Sequence, residues 1–269
     1  MTRPIVFLTD YGLADEFVGV CHGVIQRIAP GATVIDLTHR VERQAVLHGG
    51  VVLGRAARFM PAAAVYLAVV DPGVGSDRRP VAVEAVSGAF LVGPDNGLLS
   101  MTWQALGGAS RAVEISSADI VLQPVSKTFH GRDVFAPAAA SLAAGTSLER
   151  LGPAVDVENL QRLELPAPTV ASGVIGACVV GVDGFGNVQL NATPDDLRTA
   201  GLRDVVAIGS NDVRVVSTFA DVSEGRPAMI VDSQGFLAVV VNRGSAARMF
   251  DVRPADAVTI KRGSTSSER

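Results

Sequence analysis

The chain has 269 residues, 48% of them hydrophobic and 19% charged, with a formal net charge of −4. This is the composition of a folded chain of one large or two modest domains, and it excludes a disordered one. The mild negative charge gives no electrostatic footprint for nucleic acid or an anionic membrane surface, so neither is expected as a partner.

From the N-terminus, "PIVFLTD" reads as a buried strand, and "DEFVGVCHGVIQRIAP" has helical periodicity up to Pro30. The first apolar run stops at Asp10, too early for a signal-peptide core. "ATVIDLT" is a second strand, "RQAVLHGGVVLGRAARFM" a second helix and "AVYLAVVD" a third strand. "VAVEAVSGAFLVGPDNG" has the pattern of a hairpin, and "DVFAPAAASLAAG" that of a small-residue helix. Apolar, β-branched strands alternating with helices predict an α/β domain with a mostly parallel sheet covered on both faces.

The composition changes over Arg162–Val174, "RLELPAPTVASGV", the candidate linker. Beyond it, "VIGACVVGVD", "VVAIG", "VRVVSTFAD", "PAMIVDS", "GFLAVVVN" and "AVTIK" are short strands separated by Gly and Asp turns. They predict a small all-β barrel or sandwich. The expected division is an N-terminal α/β domain over 1–165 and a C-terminal all-β domain over 172–263. No uncharged apolar run reaches the roughly 18 residues of a membrane span. Cys21 and Cys178 lack CxxC spacing and read as buried free thiols of a reducing compartment, so a cytoplasmic location is expected. Arginine supplies nearly all the cations beside Lys127 and Lys261, the signature of a GC-rich bacterial coding bias.

Several polar stretches share one grammar: an apolar run, then a short acidic or amide side chain beside glycine. They are "FLTDYG" with Asp10, "VVDPGVG" with Asp71, "LVGPDNGLL" with Asp95 and Asn96, "GVDGFGNV" with Asp183 and Asn187, and "IVDSQGF" with Asp232 and Ser233. Each alone is an ordinary turn or helix cap. Together they suggest a polar pocket, because α/β sheets bind ligands outside the carboxyl ends of their strands, where Asp10 and Asp71 emerge. "KTFHGRDVFAP" places His130 just before a helix, where an imidazole near a carboxylate and a guanidinium can position or deprotonate water. His22, His39 and His48 lie without comparable company and read as structural. There is no dinucleotide or Walker loop, no HExxH, no Cys/His metal spacing and no GxSxG elbow, so no metal or cofactor is expected.

The series "FLTDYG", "VVDPGVGSDRR", "GPDNGLL", "TFHGRD", "VDGFGNVQLN", "TFAD" and "DSQGFLAVVVN" resembles, in this order, the S-adenosyl-L-methionine hydroxide adenosyltransferases. These are the hydrolytic relatives of fluorinase and chlorinase. The resemblance runs from about Pro4 to Lys261. It implies an N-terminal α/β domain and a C-terminal β-barrel, in a homotrimer with sites between subunits. It also implies attack of water or hydroxide on the ribose 5′-carbon of S-adenosylmethionine, the substrate, giving adenosine and L-methionine.

By the same resemblance Asp71, Arg78 and His130 form the water-activating array, with either Asp71 or His130 taking the proton. Asp10 matches the contact to the ribose hydroxyls, which suits a carboxylate accepting from a vicinal diol. Asp183 and Ser233, with Asp15, match contacts to the methionine amino-acid group. Asn187 matches an adenine-edge contact, and Phe185 and Phe219 an aromatic surface near the base. Gln44 replaces the tryptophan that lines the fluorinase ribose pocket. The halogenases carry tyrosine at the positions of Asp71 and His130, so a 5′-halogenase is the disfavoured alternative. A non-catalytic S-adenosylmethionine or adenosine sensor is the alternative from another class.

Overall fold

The structure, a computed structural model, describes residues 2–264. It divides into two compact units between Leu163 and Glu164, within the proline-containing stretch marked by its composition.

The first unit is built on a seven-stranded sheet. Its strands are β1 (Ile5–Thr9), β2 (Val34–Thr38), β3 (Val65–Val69), β4 (Pro80–Ala85), β5 (Phe90–Pro94), β6 (Ala109–Glu114) and β7 (Ala154–Val155), in the order β2-β1-β3-β5-β4-β6-β7. β2, β1, β3 and β5 run parallel, and the expected hairpin is the antiparallel β4–β5 pair. The helices are α1 (Phe17–Ile28), α2 (Val46–Ala57), α3 (Ser100–Ala105) and α4 (Ala136–Ala143).

Strand alternation feeds two cores, because successive side chains point to opposite faces. Ile5, Phe7, Val65, Leu67 and Val69 pack with residues of α1 and α4. Val6, Leu8, Tyr66, Ala68 and Val70 pack with residues of α2 and α3. β1 and β3, covered on both faces, are therefore apolar at every position but Thr9 and wholly buried. β2, read as a strand of the same kind, lies at the sheet edge and is only half-buried. The predicted small-residue helix begins as a single π-helical turn, Gly131–Phe135, before α4.

In the second unit β9 (Val174–Val182) follows β8 (Thr169–Ala171), and then come β10 (Val188–Leu190), β11 (Val205–Ile208), β12 (Asn211–Val215), β13 (Pro227–Val231), β14 (Leu237–Val241) and β15 (Ala257–Arg262). The order β10-β14-β13-β12-β11-β15-β9 returns to β10 through β9–β10 pairing. The result is a closed barrel of seven strands with β8 added on β9, and closure removes the open edges a sandwich would leave. Val179, Leu190, Val206, Val213, Met229 and Ile260 fill its interior. Two short helices, α5 (Pro194–Thr199) and α6 (Ala246–Phe250), interrupt the expected all-β pattern. The Thr193 capping box starts α5, with Asp196 accepting from the Thr193 N–H at 2.7 Å. Of the two thiols, only Cys21 is buried, while Cys178 is half-buried.

Candidate active site

β1 and β3 lie side by side in register, Thr9 opposite Val69, so the residues that follow them leave the sheet at the same end. Asp10 and Tyr11 from one strand, and Asp71, Pro72 and Val74 from the other, line a cavity of about 420 Å³. Asp15, Gln44, His130 and Gly131 line it as well. Gln44 adopts φ 64°, the left-handed conformation uncommon for residues other than glycine, and its N–H donates to Asp10 Oδ2 at 2.9 Å.

The segment after Asp71 folds back as a tight turn. Val74 N–H donates to Asp71 O at 3.2 Å, and Ser76 Oγ donates to Gly73 O at 2.7 Å. Gly75 has φ 79°, and a Cβ there would collide with the Lys127 carbonyl, so only glycine brings this turn against the strand of chain leading to His130. The approach places Arg78 between the two. Its Nε donates to Asp71 Oδ1 at 3.0 Å and its Nη2 donates to Asp71 Oδ2, a two-pronged carboxylate clasp. The same Nη2 donates to His130 Nδ1 at 2.7 Å. The side chains of Arg78 and Asp71 are 10% and 6% exposed, and the guanidinium stacks 5.1 Å from the Phe135 ring centroid. Its remaining nitrogen, Nη1, is buried without a hydrogen-bond partner among the described residues.

His130 is held neutral: burial lowers its pKa, the adjacent Arg78 charge lowers it further, and Asp71 only partly opposes them. Because Nδ1 accepts from Arg78, the ring proton of the neutral imidazole sits on Nε2. The π-helical turn directly after His130, a feature frequent at functional sites, opens with Gly131. A Cβ at Gly131 would fall on the Tyr11 hydroxyl, so that hydroxyl occupies the space a side chain would take. Burial first, then the nearby Cys21, Asp10 and Asp71, raise the Tyr11 pKa well above its ordinary value, and the phenol stays protonated.

The adjacent arginines diverge. Arg79 donates from Nε and Nη2 to Asp95 Oδ2 at 3.0 and 2.6 Å, and from Nη2 to Asn159 O at 2.6 Å. Asp95 Oδ1 accepts from Gln161 N at 2.8 Å, and Asn96 Nδ2 donates to Val70 O at 2.9 Å. Asp95 and Asn96 therefore fasten the chain around the sheet and do not join the polar pocket that their motif suggested. In "TFHGRD", Asp133 is buried and accepts from Arg132 Nε at 2.6 Å and from Ser126 N at 2.8 Å. Burial alone would raise the Asp133 pKa, but these bonds outweigh it and hold the carboxyl below its ordinary range. Its role is to anchor the loop that carries His130.

The remaining candidates lie in the second unit. Phe185, Asn187 and Phe219 line a cavity of about 570 Å³ together with Arg243 and Arg248. Phe185 is 83% exposed. Asp183 and Ser233 do not line it. Asp183 organises its own turn, with Oδ1 accepting from Phe185 N and Asn187 N at 2.9 and 3.0 Å and Oδ2 from Asn187 Nδ2 at 2.8 Å. Ser233 is exposed in the turn between β13 and β14. His22 and His39, read as structural, share a carboxylate partner. Both rings meet Asp36 Oδ1, at 2.9 and 3.0 Å, and the Asp36–His39 spacing in "DLTH" is the sequence signal that the linear reading passed over.

Adjacent parallel strands that deliver Asp10 and Asp71 to one cavity, with His130 lining it and Arg78 joining Asp71 to His130, in a chain whose second unit is a closed barrel, define a narrow class of two-domain proteins. The chain belongs to the SAM hydroxide adenosyltransferase family: the model of the family's N-terminal domain matches residues 5–152 and that of its C-terminal domain residues 177–259. It is 47% identical over 262 residues to the (R)-S-adenosyl-L-methionine hydrolase of Salinispora tropica, covering 97% of this chain and 99% of that one. It is 30% identical over 298 residues to the fluorinase of Actinopolyspora mzabensis, covering 97% and 98%. Its structure matches the crystal structure of an uncharacterized conserved protein from Thermotoga maritima with a TM-score of 0.86 at 37% identity, covering 96% and 100%.

Proposed function

We propose that this protein hydrolyses S-adenosyl-L-methionine to adenosine and L-methionine, by attack of water or hydroxide on the ribose 5′-carbon. The observation that carries the reading is the joint engagement of Asp71 and His130 by one buried guanidinium at the edge of the cavity. The new oxygen–carbon bond forms as the carbon–sulfur bond breaks, with its electron pair passing to sulfur. The cationic sulfonium leaves as a neutral thioether and needs no general acid, so the protein's work is to orient the water and accept its proton.

The tautomer of His130 divides these tasks. With Nδ1 accepting from Arg78, its Nε2–H donates and cannot accept a proton. Asp71 retains lone pairs beyond those used by Arg78 and is the proton acceptor in this reading. Asp10 and Asp15, in the same cavity as Asp71, take the ribose hydroxyls and the amino-acid end of the substrate. Asp183, Phe185, Asn187, Phe219 and Ser233 contact its adenine and methionine parts in a homotrimer with sites between subunits. The reaction needs no metal or added cofactor, the setting is the cytoplasm of a bacterium, and the partners are the small-molecule substrate and other copies of the chain. Among the described residues no helix is long and apolar enough to cross a membrane.

The test is to incubate the protein with substrate and halide and identify the nucleoside formed. Adenosine supports hydrolysis, 5′-haloadenosine would replace the reading with halogenation, and unchanged bound ligand with sensing. Asp71→Asn keeps size but removes the accepting charge, and its turnover should fall by at least about 100-fold, the scale of general-base catalysis, with a much smaller change in substrate binding. An asparagine variant that turns over at the parent rate would remove Asp71 from the mechanism.

A further inference from the structure

Outside the cavity, three metal-ligating side chains converge from α1, β2 and the segment after β2. His22 Nε2 and His39 Nε2 approach the same carboxylate oxygen, Asp36 Oδ1, at 2.9 and 3.0 Å. All three donor atoms lie within 4.8 Å of one another. We propose that His22, Asp36 and His39 form a binding site for a divalent transition metal of the zinc type, with open positions filled by water. None of the three lines the cavity that holds Asp71 and His130.

Two of the three donor separations match what one ion requires. Metal–nitrogen and metal–oxygen bonds of about 2.0–2.2 Å, at angles between roughly 90° and 110°, put neighbouring donor atoms roughly 2.8–3.6 Å apart. The two His–Asp separations already fall in that range, and the two imidazole nitrogens lie within 4.8 Å of each other, so uptake of an ion requires the rings to close on it. Two imidazoles and one carboxylate are a donor set suited to zinc, cobalt or nickel and poor for magnesium or calcium, which prefer oxygen. The Phe7 ring packs against both histidines, edge-on to His39 at 4.7 Å and tilted against His22 at 5.8 Å between centroids. His39 is nearly buried, whereas the side chains of His22 and Asp36 are 32% and 45% exposed, which leaves access from solvent.

The surroundings also suit a metal-bound His39. Its Nδ1 lies 2.9 Å from Thr9 Oγ1, which accepts from Tyr11 N at 3.2 Å. Without metal, the Thr9 hydroxyl donates to Nδ1 and His39 carries its proton on Nε2. With metal on Nε2, the proton resides on Nδ1 and donates to Thr9 Oγ1, whose two lone pairs accommodate both donors. A ligating histidine ordinarily has such a partner on its other nitrogen. Asp36 must be ionised to ligate.

The experiment is to strip the full-length protein with a chelator, remove the chelator, and titrate Zn²⁺ by calorimetry and Co²⁺ by visible absorption. The expected result is one saturable site per chain, with Co²⁺ bands that Zn²⁺ displaces and a higher melting temperature for the loaded protein. His22→Ala and Asp36→Asn, both at partly exposed positions, should each weaken binding by at least about tenfold while keeping the parent's metal-free melting temperature. Absence of saturable Zn²⁺ binding in the parent overturns the assignment whether or not the variants fold. Equal affinity in parent and variants overturns it too. Because nothing in this titration depends on turnover, the proposal can fail while the hydrolase reading stands, and the reverse.

Discussion

Gly131→Ala should be costly although the backbone there would accept alanine. Its φ is not left-handed, so the obstacle is space alone. The added Cβ would lie on the Tyr11 hydroxyl oxygen, closer than the 3.0 Å that real Cβ atoms keep, with Tyr11 Cζ and Cε2 at 3.1 and 3.3 Å. Tyr11 cannot simply swing away, because its ring packs edge-on against Phe17 and Phe129, each 5.9 Å away between centroids. Forcing a methyl into such a packed site costs about 1–3 kcal/mol. Tyr11→Phe removes the overlapping oxygen and leaves only ring carbons at 3.1 and 3.3 Å, contacts relieved by shifts of a few tenths of an ångström. The double variant should therefore be less destabilised than the two single losses added together, with a coupling of about 1 kcal/mol or more. The single tryptophan, Trp103, is buried in the first unit, and its fluorescence during urea unfolding reports that unit's stability. Adenosine formation should fall in Gly131→Ala, since the displaced atoms border His130, and recover in part when Tyr11→Phe is added. Additivity of the two losses to within about 0.5 kcal/mol would refute the steric argument.

Three further outcomes follow from the titrating groups. His130 is harder to protonate in the folded chain than in the unfolded one, because burial and Arg78 lower its pKa from 6.5. As pH falls below that value the unfolded chain binds the proton first, so stability declines down to the folded-state pKa and levels off beneath it. His130→Asn should flatten part of this slope in urea midpoints taken from pH 7.5 to 5.5, leaving the part due to His48, whose pKa burial also lowers. A slope unchanged by the substitution would refute the assignment. Turnover should fall over the same acidic limb, because a protonated imidazole cannot accept from Arg78. Burial pushes the Cys21 thiol up to about 12, so iodoacetamide at pH 8 should modify half-buried Cys178 well before Cys21 in the native protein. Equal labelling of both by mass spectrometry, before denaturant is added, would show that the site around Cys21 is open.

The sequence alone determined the α/β character of the first unit and the strand-rich character of the second. Those properties are written in local periodicity: "IVFL" and "VYLAV" are apolar runs because both sheet faces are covered, and the glycine and Asp turns punctuate short strands. It also marked Asp10 and Asp71 as residues leaving the carboxyl ends of strands, and singled out His130 as a residue of a separate motif. Only the tertiary structure decided which polar side chains meet. Arg78 and Arg79 are adjacent in the chain, yet one turns to Asp71 and His130 and the other to Asp95, because successive side chains leave an extended segment on opposite sides. Asp95 and Asn96 share the motif grammar of Asp10 but are consumed in holding the sheet end together. His22 and His39 carry no common motif. His22 reaches Asp36 only because β2 lies next to β1 and α1 packs over the sheet there, whereas His39 meets Asp36 from three residues along the chain.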